Sequence, residues 1–68
     1  EINMTELGDV VKVVIGNFEK IGAVTHVLKD SAWILFKDGD VGIYNIEYCK
    51  PTGTNVLGDL NKLVSKFN

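Results

Sequence analysis

A run of branched aliphatic residues between two glycines, Gly8-Asp9-Val10-Val11-Lys12-Val13-Val14-Ile15-Gly16, constrains this chain more than any other stretch. Side chains branched at Cβ crowd a helix and fit a pleated strand. Read with a period of two, Val11, Val13 and Ile15 face one side, and Val10, Lys12 and Val14 face the other. Gly22-Ala23-Val24 restarts the pattern after a polar segment. The expectation is a strand, a short polar loop closed by Gly16 and Gly22, and a second strand.

Further strands follow over residues 23–28 and 32–37, joined by the polar turn Lys29-Asp30-Ser31. Asp38-Gly39 predicts a type I′ hairpin, because such a pair accommodates positive φ at both central positions. It connects Ile34-Leu35-Phe36 to Val41-Gly42-Ile43-Tyr44. Asn45-Ile46-Glu47 reads as one turn of 3₁₀ helix before a last short strand, Tyr48-Cys49-Lys50, ended by Pro51 and Gly53. From Asn55 the period changes. Val56, Leu60, Leu63, Val64 and Phe67 fall on one helical stripe, with Asp59 near its positive end and Lys62 and Lys66 toward its negative end.

The fold expected is therefore mainly β, a small barrel of about five short antiparallel strands with a C-terminal amphipathic α-helix. Residues 1–7 are read as a lead-in anchored by Met4 and Leu7, residues 8–51 as the barrel, and residues 52–68 as a linker and a helix packed on it. If Ile34 and Phe36 point inward, Trp33 and Leu35 point outward beside Val14, an apolar patch of the size the helix stripe would cover.

Sixty-eight residues make one domain with a small core and no room for a buried catalytic cavity. The formal charge of −2 argues against a dedicated duplex-DNA binder, which needs a basic excess to displace counterions. Between residues 9 and 50, five lysines face six acids. Arginine is absent, which removes the usual bidentate reader of guanine edges. The single Cys49 forms no internal disulfide, and with the single His26 it falls short of a four-ligand zinc set. Asp38 and Asp40 beside Gly39 are turn chemistry, without the further oxygens of a calcium loop. No nucleophile, base and orienting acid share a motif, so no catalytic residue is expected. No apolar run reaches the roughly eighteen residues of a membrane span. An intracellular protein, cytoplasmic or nuclear, is expected, and a chain opening on Glu1 reads as a piece of a longer one.

Four stretches, Gly8-Asp9-x-Val11-x-Val13, Gly16-Asn17-Phe18-Glu19-Lys20-Ile21-Gly22-Ala23-Val24, Ile34-x-Phe36-x-Asp38-Gly39 and Tyr48-Cys49-Lys50-Pro51, together resemble KOW-type domains. These are SH3-like barrels of NusG-like transcription factors and several ribosomal proteins. The resemblance covers residues 8–51 and implies binding of RNA, DNA or protein through the first loop and adjoining strands. The loop here is shortened and places Lys20 beside Glu19, where family members generally carry a basic residue and a further glycine. Ile34 to Gly39 with Tyr48 and Pro51 also resembles tudor-type barrels, which read methylated side chains in an aromatic cage.

Asn17, Phe18 and Lys20 bring together a hydrogen-bond donor, a stacking ring and a cation, the groups a single-strand binder uses. Lys12, Lys29 and Lys37 are expected to extend that surface. The function expected is a non-catalytic binding module in gene expression. It would dock on nucleic acid, RNA or DNA without sequence preference, or on a protein of the transcription or translation machinery. The alternative is a protein-protein adaptor or tudor-like reader, with Trp33, Tyr44 and Tyr48 as its aromatic surface. No cofactor, metal or membrane contact is expected, and a monomer is favoured over a homodimer.

Overall fold

A computed structural model describes residues 5–58, so the amphipathic stripe expected beyond Gly58, and its docking on the barrel, lie outside the described residues. Five strands form one antiparallel sheet: β1 Asp9–Ile15, β2 Phe18–Val27, β3 Ser31–Phe36, β4 Val41–Asn45 and β5 Cys49–Asn55. Their order across the sheet is β4-β3-β2-β1-β5. A 3₁₀ turn joins β4 to β5, as the sequence predicts, but one residue later, at Ile46–Tyr48, so that Tyr48 belongs to the turn and not to the last strand.

That connection forces the sheet to curl. β4 and β5 are its two edges, and four strand spacings of a flat sheet measure about 19 Å. Three 3₁₀ residues at about 2 Å each cannot bridge that gap. The edges must come together, and the turn packs against β1 as they do. Enclosed by this closure are Val11, Val13, Val24, Ala32, Ile34, Phe36 and Cys49, with Tyr44 and Ile46 against them. The alternation expected in β1 holds for Val11 and Val13, while Ile15 at the strand end is exposed.

The turns depart from expectation. The loop drawn from Gly16 to Gly22 is a two-residue hairpin, Gly16-Asn17, because Ile15 pairs with Phe18 and Val14 with Glu19. Gly16 has φ +58° and Asn17 does not share the positive region, the pattern of a type II′ turn. Gly22 closes no loop. It lies inside β2 opposite Phe36, where a Cβ would stand 2.6 Å from Ile34 Cγ2 and 2.7 Å from the Leu35 carbonyl oxygen. Nor is Asp38-Gly39 a type I′ pair, since only Gly39 has positive φ. The Phe36 N–H donates to Asp40 O and the Gly39 N–H to Phe36 O, which makes a three-residue loop with its glycine last.

β5 runs through Pro51 and Gly53 to Asn55. Proline is tolerated there because β5 is an edge strand, and Gly53 at φ +89° accompanies a register shift between the Asp9 and Val11 pairings. Asn55 ties the two ends of the barrel chain together. Its Nδ2 donates to Leu7 O and Asp9 Oδ1, and its Oδ1 accepts the Gly58 N–H as an N-cap.

On the outward face, register aligns Val41, Leu35, Ala23 and Val10 across four strands, with Trp33 beside Ile43. Val41 and Ile43 are each 53% exposed. Gly22→Ala is expected to lower stability by about 1–3 kcal/mol through overpacking. Gly39→Ala, with open space around its Cβ, should cost only the left-handed backbone, about 1–2 kcal/mol, and leave the core packing untouched. Urea unfolding of both variants, read with methyl chemical shifts of Ile34, separates the two mechanisms.

Candidate nucleic-acid interface

Phe18, Lys20, Gly22 and Val24 share one side of β2, the side that faces the core, so the first two project over the open end of the barrel. There they meet the β3–β4 loop and Tyr44. Phe18 stacks on Tyr44 with ring centroids 6.1 Å apart and planes at 23°, and Tyr44 meets Phe36 edge-on at 5.8 Å. Lys20 Nζ lies 4.6 Å from the Phe36 ring centroid, a cation–π contact. Tyr44 reaches this position across Gly42, where a Cβ would stand 2.6 Å from its ring.

Charge at this end is largely neutralised. Lys20 Nζ is 2.7 Å from Asp38 Oδ2 and 3.6 Å from Asp40 Oδ2. The hydrogen bond to Asp38 is the main cause that raises the Lys20 pKa above its ordinary value. The same bond, followed by the Asp40 N–H donating to Asp38 Oδ1, lowers that of Asp38. Glu19, Lys20, Ile21, Lys37 and Asp38 line an open depression of about 480 Å³. Lys37 makes no ion pair among the described residues, and Asn17 stands exposed at the hairpin tip.

Of the residues expected to form the site, the fold thus gathers Asn17, Phe18, Lys20 and Lys37 at one end. Lys12 is on the outward face, 3.1 Å from Glu19 and paired in register with Lys50. Lys29 follows β2 at the opposite end, beside Asp30, Asn45, Ile46 and Glu47. The rings named for a cage fall apart. Tyr44 joins Phe18 and Phe36, Trp33 meets His26 edge-on at 5.9 Å, and Tyr48 belongs to the 3₁₀ turn with no ring partner among the described residues. Phe36, Asp38 and Asp40 escaped the sequence reading as site residues, although Asp38-Gly39 marks the loop that carries both acids. Cys49 is a buried thiol whose pKa burial pushes up, so it stays protonated and unreactive.

Against this geometry, the chain is 33% identical over 63 residues, 91% of its length, to the large ribosomal subunit protein uL24 of Mesoplasma florum, which carries a KOW domain. The chain is similar to that protein, and its five-stranded antiparallel sheet is consistent with an SH3-like barrel. It spans about half (54%) of the length of that curated relative. No family model matches the chain, and no solved structure gives a significant match.

Because Asp38 titrates below the usual carboxylate range, its pairing stabilises the barrel at neutral pH. That contribution is lost as pH falls through the depressed folded value. Lys20→Met should move the Asp38 carboxyl midpoint up toward an unperturbed aspartate. A side-chain NMR titration measures this, and an unmoved midpoint would show that the ion pair is not formed in solution.

Proposed function

We propose that this chain is a non-catalytic RNA-binding module of the translation machinery, docking on ribosomal RNA in the cytoplasm. The single observation that supports this reading is the 33% identity, over nearly the whole chain, to a protein of the large ribosomal subunit. The contact surface proposed is the barrel end that carries Asn17, Phe18, Tyr44 and Lys37.

The chemistry favours unpaired RNA over duplex. Stacked rings at Phe18 and Tyr44 offer a π-face to an unstacked base, and the Gly16-Asn17 turn exposes its tip close by. With Lys20 held by two aspartates and Lys12 by Glu19, phosphate attraction falls mainly to Lys37. Binding by the isolated module is therefore weak and only mildly dependent on salt. Neighbouring contacts would supply the remaining affinity.

Lys12 and Lys50, paired in register on the outward face, offer a second cationic spot, whereas Lys29 stands too far from the hairpin tip to share one RNA contact with it. The protein-adaptor alternative draws on the apolar outward face rather than on this end. Titration of a short single-stranded RNA into the labelled protein should shift the amides of residues 16–20, 37 and 44. Removal of a stacking ring costs about 1–3 kcal/mol per base, so Phe18→Ala or Tyr44→Ala should weaken binding roughly 5- to 150-fold. If RNA leaves those amides unmoved at low salt, the reading fails.

A further inference from the structure

We infer that residues 59–68 cross the outward face of the sheet as the continuation of a helix begun at Val56, and cover Trp33 and Leu35. Two apolar rows lie on that face. Val10, Ala23, Leu35 and Val41 form one across β1 to β4, and Trp33 beside Ile43 begins the next. Leu35, Val41, Trp33 and Ile43 are all exposed, and no lysine, aspartate or glutamate interrupts either row. An uncharged face as continuous as this on a small domain marks a surface with an occupant.

The chain leaves the barrel beside these rows. The Gly8 N–H donates to Val24 O, and Val24 stands between Ala23 and His26, the partners of Leu35 and Trp33. Gly8 is thus level with the gap between the two rows. The Val56 N–H donates to Gly8 O, and Asn55 Oδ1 caps the helical turn at 56–58 by accepting the Gly58 N–H. Leu57 packs over Gly8, where a Cβ would stand 2.7 Å from its Cγ. The side of the turn that meets the barrel is therefore the side that carries Leu57. Leu60, Val64 and Phe67 follow at i+3, i+7 and i+10, on that same side of a continued helix, whereas Lys62, Ser65 and Lys66 fall opposite.

Length, pattern and tethering select this segment over a second copy. The ten residues 59–68 span about 15 Å as a helix, and the rows from β1 to β4 span three strand spacings, about 14 Å. A helix this short is marginal in water and holds only against a surface that takes its apolar side. Held at Asn55, the segment meets the face at an effective concentration of about millimolar, which a free second copy in dilute solution does not reach. Coverage closes the adaptor route through Trp33. It leaves the hairpin tip, at the other end of β1, open, so the docking is independent of RNA contact there.

Trp33 is the sole tryptophan and reports the contact in the full chain. Its emission should be blue-shifted, shielded from acrylamide and unchanged on dilution, and its indole protons should show NOEs to the Val64 methyls or the Phe67 ring. Val64→Lys, which puts a cation on the apolar side, should shift that emission to the red and remove the shielding. Ser65→Lys adds the same charge on the opposite side and should behave as the parent chain. If Val64→Lys unfolds the barrel, the NOEs of the parent chain decide. A parent chain without those NOEs overturns the inference. So does shielding that survives Val64→Lys, that Ser65→Lys removes equally, or that fades on dilution, which would assign the face to a second copy.

Discussion

Everything in this domain depends on the short link between its two sheet edges. The Ile46–Tyr48 turn is too brief to cross a flat five-stranded sheet, so the sheet must bend until β4 and β5 approach each other. Bending converts one face into an enclosure for Val11, Val13, Val24, Ile34 and Phe36, each worth about 1.5–3 kcal/mol when buried. Gly22 has no substitute without strain, because Ile34, Leu35 and Phe36 of the neighbouring strand come within reach of its missing Cβ. With so few buried residues in a domain this small, losing any one of them removes a large share of the net stability.

The same closure shapes the open end. Lys20 alternates toward the inward side of β2 at the open end of the barrel, where its side chain stays about one-third (32%) exposed. It is accommodated by the Phe36 ring below and the Asp38 and Asp40 carboxylates beside it. A cation that reads as a ligand contact from sequence is thus a brace between β2 and the β3–β4 loop. What remains for a partner at this end is ring surface and turn backbone more than charge.

Strand positions were legible because the branched residues of β1 and β3 alternate against a single buried face. The Asp38-Gly39 reversal and the 3₁₀ link were legible from turn chemistry. Less visible was where turns begin. Phe18 and Glu19 have no β-branched character, yet cross-strand pairing to Ile15 and Val14 extends the hairpin to its limit. Pro51 and Gly53 look like terminators, but an edge strand needs hydrogen bonds on one side only and accepts both. The convergence of Phe18, Tyr44 and Phe36 could not be read at all. It depends on the curl and on Gly42 making space for a ring two residues away.

Asn55 gathers Leu7, Asp9 and Gly58 around one amide, at the start of β1 and the finish of β5. The hairpin tip is at the far end of β1, about 20 Å away at 3.3 Å per residue. Both ends of the described chain thus share a root, at the pole opposite the proposed contact surface, so a substitution at Asn55 loosens the two ends together without touching the hairpin tip.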